Sequence, residues 1–270
     1  MRLSVMRVGD GPHGTLLLHG YLGSGRNLWS LARRWSERDP SRTFLLPDLT
    51  GHGTSPRLGP GDGLDELARD ILATAETSGL KAPWTIVGHS LGGWVSLVAL
   101  AKAPERISRV VLLDISPAAL GWGVQESGRI VDAFAKVPSH FARREEARTA
   151  LDAEGLPRPM VDWLLTNLIP EGDGYGWRVD RQALLDLRRH YDAVNLWPVL
   201  AGARGRVSCV RGAQSGYVPD QDAARMESLG CPVTTIEGAG HFLHVDQPAA
   251  LLEALQTALG VDPAGGVAVE

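Results

Sequence analysis

Trp84-Thr85-Ile86-Val87-Gly88-His89-Ser90-Leu91-Gly92-Gly93-Trp94 is the stretch on which the reading of this chain turns. The run Trp84–Gly88 is apolar and β-branched, as in a strand covered on both faces. Apolar residues then recur at helical spacing from Leu91 to Ala103. Between the two lies a Gly-x-Ser-x-Gly turn. On a strand-to-helix bend this pattern forms a nucleophile elbow, with the serine hydroxyl exposed above the strand ends. The motif alone is common. Its strand-before, helix-after context makes Ser90 the candidate nucleophile.

Outward from the elbow, short apolar runs alternate with helical patterns, which predicts a parallel sheet flanked by helices. The runs are Leu3–Val8, Thr15–His19, Phe44–Pro47, Arg109–Asp114, Val207–Arg211 and Val233–Ile236. Helical stretches are expected near Asn27–Arg38, Leu64–Ser78, Asp220–Leu229 and Pro248–Leu259. Only residues 117–197 break the rhythm. They contain helical periods punctuated by Pro138, Pro157, Pro159 and Pro170, and no run that reads as a strand. A segment of that length is too long for a loop. It is expected to be a helical cap inserted into a core made of residues 1–116 and 198–261. The Gly- and Ala-rich end, 262–270, is expected to be a disordered tail.

The chain has 270 residues, of which 44% are hydrophobic and 21% charged, so one domain with an insertion can bury a full core. A net charge of -4 gives no electrostatic footprint for nucleic acid. The absence of a long apolar run argues against a membrane span, and the first residues carry no signal-peptide pattern. A cytoplasmic location is the expectation. Cys209 and Cys231 have no metal-ligand spacing and are read as small buried residues. No phosphate-binding glycine loop is present, and no metal or other cofactor is expected.

A serine hydroxyl needs a base to take its proton. In this architecture the base is a histidine late in the chain. His241, in Gly238-Ala239-Gly240-His241 between the last strand and last helix, fits that place; His244 is its local rival. His19-Gly20-Tyr21-Leu22-Gly23 follows the strand Thr15–Leu18. Its turn is expected to supply the Tyr21 backbone N–H to an oxyanion hole, with the Leu91 N–H as the second donor. His13, His19, His52, His89, His140 and His190 are read as structural.

Taken together, Leu16–Gly20, Asp48–Ser55, Gly88–Gly93 and Gly238–His241 resemble the α/β-hydrolase superfamily from Leu3 to Leu259. Leu113-Asp114-Ile115-Ser116-Pro117, Gly212-Ala213-Gln214-Ser215-Gly216-Tyr217-Val218 and Gly240-His241-Phe242-Leu243-His244 resemble, more narrowly, a branch of small capped bacterial esterases and acyl-CoA thioesterases and its esterase-like mitochondrial relative. The resemblance implies an α/β-hydrolase fold and a serine hydrolase with a Ser-His-Asp triad.

The acid of that triad departs from the common pattern. In most of the superfamily it stands on the loop after the strand Val207–Arg211, three residues beyond a glycine; here that position is Ser215. Asp114, at the end of an earlier strand, is the first candidate, and the bacterial branch resembles members that place the acid there. Asp220 and Asp222 are the alternatives, and Asp246 lies too close to His241 in sequence. Trp122, Trp163, Trp177 and Tyr217, with Trp94, are candidate pocket residues. The expected substrate is a small-molecule monoester with an apolar acyl or alcohol part. Thioesterase, carbon–carbon bond hydrolase, aminopeptidase and perhydrolase activities use the same serine chemistry. A non-catalytic ligand receptor is the reading from a different class. Oligomeric state is not legible.

Overall fold

A computed structural model describes residues 2–119, 126–192 and 194–260. Along the chain lie β1 (Val5–Val8), β2 (His13–Leu18), α1 (Trp29–Arg38), β3 (Arg42–Pro47), α2 (Leu64–Thr77), β4 (Trp84–His89), α3 (Leu91–Lys102) and β5 (Ile107–Leu113). There follow α4 (Glu126–Lys136), β6 (His140–Phe141), α5 (Arg144–Ala153), α6 (Arg158–Leu164), β7 (Leu168–Glu171), β8 (Gly174–Trp177) and α7 (Arg181–Asp192). The chain then forms α8 (Trp197–Gly202), β9 (Val207–Gly212), α9 (Asp220–Ser228), β10 (Val233–Ile236), α10 (Leu243–Asp246) and α11 (Pro248–Ala258).

The main sheet has the order β1-β3-β2-β4-β5-β9-β10. Only β1 runs antiparallel to its neighbour; the other pairings are parallel. The strands read as unbroken apolar runs because both faces are covered. Successive residues alternate between two cores. Leu16, Leu18, Ile86 and Leu112 pack with α2, α3 and the inserted segment. Leu17, Val87, Val111 and Leu113 pack with α1 and α11. Parallel strands all end on the same edge, so the loops after β2, β3, β4, β5, β9 and β10 converge there.

The segment between β5 and α8 departs from expectation. It is not purely helical: β6, β8 and β7 form a three-stranded antiparallel sheet. These strands span only 2 to 4 residues. Pro170 stands inside one and two glycines inside another, so no alternating run betrays them. The Leu196 N–H donates to the Pro117 carbonyl at 2.9 Å, tying the segment's two ends together. The tail lies outside the described residues.

The elbow sets a tight packing constraint. A Cβ on Gly92 would stand 2.5 Å from the Leu18 carbonyl oxygen and 2.8 Å from that of His19. Both are backbone atoms, so the obstruction cannot swing away. By contrast, a Cβ on Gly202 meets nothing within 4 Å. Gly92→Ala should therefore lose about 1–3 kcal/mol of stability, whereas Gly202→Ala should be neutral or slightly stabilising. Chemical denaturation of both variants checks this; equal effects would show that the helix is free to move off β2.

Candidate active site

Ser90 sits at φ 52° and ψ −119°, between the last residue of β4 and the first of α3. Such a conformation costs a non-glycine residue about 1–3 kcal/mol and persists only where its surroundings enforce it. Here the Ser90 N–H donates to the Leu113 carbonyl at 3.1 Å, while its own carbonyl accepts the Gly93 N–H at 2.8 Å. Ser90 lines a cavity of about 110 Å³ together with Tyr21, Leu91, Tyr217 and His241.

His241 lies on the loop between β10 and α10. Its Nδ1 is 2.7 Å from Asp114 Oδ2. The carboxylate accepts that N–H, so Nδ1 carries the ring's proton and Nε2 is left as the basic nitrogen. Asp114 is fully buried and the His241 side chain is 11% exposed. A buried carboxylate needs compensating donors. Asp114 also accepts the Gly212 N–H at 3.0 Å and the Ser215 hydroxyl. Like Ser90, Asp114 has a positive φ, 51°. Tyr217 packs flat on His241, with ring centroids 3.7 Å apart and planes 13° apart. This stack limits rotation of the imidazole and presents a π face to any positive charge it acquires.

The alternative acids lie elsewhere. Asp220 is 94% exposed and pairs with Arg211 at 2.8 Å. Asp222 accepts the Ser116 hydroxyl at 2.6 Å. Asp246 accepts the Gly240 N–H at 2.9 Å, bracing the histidine loop rather than the ring. Tyr21 and Leu91 both border the cavity. Leu91 opens α3, where helix N–H groups have no partner within the helix. Leu22, next to Tyr21, takes a φ of 59° and shapes that turn.

Of the aromatic candidates, Trp163, Tyr217 and Trp94 line the cavity. Trp177 is corrected: it packs on Phe134 and Phe141 in the inserted segment, and its indole N–H donates to the Pro138 carbonyl at 2.9 Å. Its aromatic bulk was read as pocket lining but serves the segment's own core. Trp122 lies outside the described residues. Sequence reading missed Arg188 of α7, which is 4% exposed and lines the cavity. Its signal was its place on one helical face with the buried Leu184 and Leu187.

A shell of buried histidines surrounds these groups. The His19 Nδ1–H donates to the Gly20 carbonyl at 2.7 Å, and Nε2 accepts the Leu49 N–H at 2.9 Å. The His89 Nε2–H donates to the His241 carbonyl at 2.8 Å. Burial is the main cause that lowers His19 to about 4. Burial, then the nearby His19, lowers His52 to about 3. Burial, then His241, lowers His244 to about 4 and holds His89 well below its usual range. All four rings are neutral in the folded protein.

Unfolded histidine titrates near 6.5. Below that pH the unfolded chain takes up protons that the folded chain refuses, so acid favours unfolding. Stability should be level between about pH 7 and 8, below the range where the unfolded chain's two thiols lose protons that burial retains in the fold. It should fall between pH 6 and 4 by up to about 1.4 kcal/mol per pH unit for each such histidine. Denaturation midpoints across this range test it, and His52→Leu should flatten the slope. A profile unchanged down to pH 4 would mean these rings are not neutral by burial.

The pattern of the alpha/beta hydrolase family matches residues 15–254. Lipase LipV of Mycobacterium tuberculosis is 30% identical over 268 residues, covering 96% of this chain and 98% of that one. An sn-1-specific diacylglycerol lipase of Mus musculus is 29% identical, covering 90% and 80%. Esterase YbfF of Escherichia coli is 27% identical, covering 89% and 91%. Among solved structures, a marine microorganism esterase superposes with a TM-score of 0.80 over 95% of this chain and 98% of that one. At 23% identity it speaks to the fold alone. The chain belongs to the alpha/beta hydrolase family and is a hydrolase enzyme.

Proposed function

We propose that this protein is a serine esterase working through Ser90, His241 and Asp114. One observation carries the reading: the His241 ring is held by a buried carboxylate on its Nδ1 side and borders the same cavity as a serine on a strained elbow. The relatives named as esterases and lipases support ester hydrolysis as the reaction.

In the first step the Ser90 oxygen attacks the ester carbonyl while His241 Nε2 takes the hydroxyl proton. Negative charge moves to the carbonyl oxygen, facing the N–H groups of Tyr21 and Leu91. Each such donor is typically worth about 3 kcal/mol in the transition state. The imidazolium is steadied by Asp114 and by the Tyr217 ring. Collapse of the intermediate expels the alcohol, which takes its proton from His241. Water then attacks the acyl-serine by the same route, and Ser90 is restored. Asp114 holds the tautomer that keeps Nε2 basic, with Ser215 and Gly212 fixing the carboxylate.

The test is a series of p-nitrophenyl esters from acetate to palmitate. The wild type should give a burst of p-nitrophenol, and Ser90→Ala should give none. Asp114→Asn should lower kcat by about 10⁴-fold, because the amide holds the wrong tautomer. Asp220→Asn and Asp222→Asn should stay within about a few-fold of the wild type, since neither reaches the ring. If Asp222→Asn were crippling and Asp114→Asn were not, the acid would be misassigned. A wild type without a burst on any ester would remove the esterase reading.

A further inference from the structure

Most of the cavity wall is apolar or neutral, with one exception. Ile130 of α4, Trp163 of α6, Ile115 and Trp94 give it hydrophobic surface. His19, His89 and His244 are uncharged for the reason given above. Asp114 is fully buried behind His241. Among the described lining residues there is one arginine, Arg188, and no lysine, aspartate or glutamate. A guanidinium stays charged at any working pH.

Arg188 occupies an unusual place on its helix. Leu184, Leu187 and Arg188 lie three and four residues apart on the buried face of α7, at 1%, 1% and 4% exposure. An apolar residue would pack there without the cost of removing a charge from water. Arg188 has an interaction partner within the protein. A guanidinium offers five N–H donors on a planar fork. Such a fork can hold a protein group on one edge and a ligand carboxylate on another. A carboxylate is the group whose two oxygens match such an edge.

Building on the esterase reading, we infer that Arg188 is a specificity residue for esters that carry a free carboxylate, such as monoesters of dicarboxylic acids. The carboxylate docks on the guanidinium and the ester carbonyl is presented to Ser90. The apolar wall between them accommodates the connecting methylenes. No covalent step is added to the mechanism, since Arg188 binds and orients the substrate.

The experiment compares kcat/KM for matched pairs. In one arm, mono-p-nitrophenyl glutarate, adipate and pimelate are each set against their methyl-capped, uncharged counterparts. In the other, acetyl esters of short hydroxy acids are set against those of the corresponding alcohols, with acid release followed by titration. The wild type should prefer the carboxylate form by about 10-fold or more in at least one arm, as expected for a charge-assisted fork contact. Arg188→Gln should bring that ratio to about 1, and Arg188→Lys should retain part of it, since a lysine keeps the charge but not the fork.

Two results would overturn the inference: no preference in either arm of the wild type, or a preference that survives in Arg188→Gln. An equal loss on charged and neutral esters in Arg188→Gln would make the arginine a structural clamp and overturn it as well. Labelling of Ser90 by an uncharged fluorophosphonate separates this from the parent reading. If the wild type is labelled and cleaves neutral esters without preference, only the carboxylate proposal falls. If it is neither labelled nor active on any ester, the esterase reading falls first.

Discussion

A carboxylate with no water around it is the constraint from which the site is organised. Full burial strips the Asp114 carboxylate of hydration, so donors from the protein must replace it. It takes them from a strand end, through the Gly212 N–H, from the following loop, through the Ser215 hydroxyl, and from the His241 ring. Those donors belong to β9, to the turn beyond it and to the loop after β10. One buried charge thus fixes three chain segments relative to β5. Moving His241 by an ångström would leave Asp114 short of a donor in a medium that punishes the loss.

The parallel sheet makes that convergence affordable in conformational terms. Residues near positions 20, 90, 114, 215 and 241 come together because the main-sheet strands that lead to them, β2, β4, β5, β9 and β10, all point the same way. The strain at Ser90 and Asp114 is concentrated on that edge, where both residues take positive φ directly after neighbouring strands. Hydrogen bonds across those strand ends hold it: the Ser90 N–H reaches Leu113, and the Asp114 N–H reaches Val210 at 2.8 Å. Local strain is tolerated because the register of β4, β5 and β9 over-determines it.

What could be read from sequence follows the range of each signal. The turns that carry Ser90 and His241 were legible because glycines crowd around both residues in the chain and mark bends of known geometry. The main strands were legible because burial on both faces makes them continuously apolar. Asp114 was harder, since its partnership with His241 spans 127 positions and leaves no local pattern. Ser215 pointed to a displaced acid only by standing where an acid was expected, and its hydroxyl turns out to donate to the Asp114 carboxylate. The strands β6, β7 and β8 were invisible because a pairing of two to four residues needs no alternation to close. Trp177 misled because an aromatic side chain in a cap looks the same whether it faces a ligand or its own core.

Neutral histidines reconcile two demands on the ground around Ser90. The turns after β2, β3 and β10 need polar side chains to satisfy backbone groups such as the Leu49 N–H and the His241 carbonyl. A charged side chain in those places would compete with Asp114 for the imidazole, or repel the imidazolium that proton transfer creates. An imidazole kept neutral by burial offers a donor and an acceptor on one ring and adds no net charge. The cost of that arrangement is sensitivity to acid, because the burial that keeps His19, His52, His89 and His244 uncharged is lost in the unfolded chain, which binds the proton first.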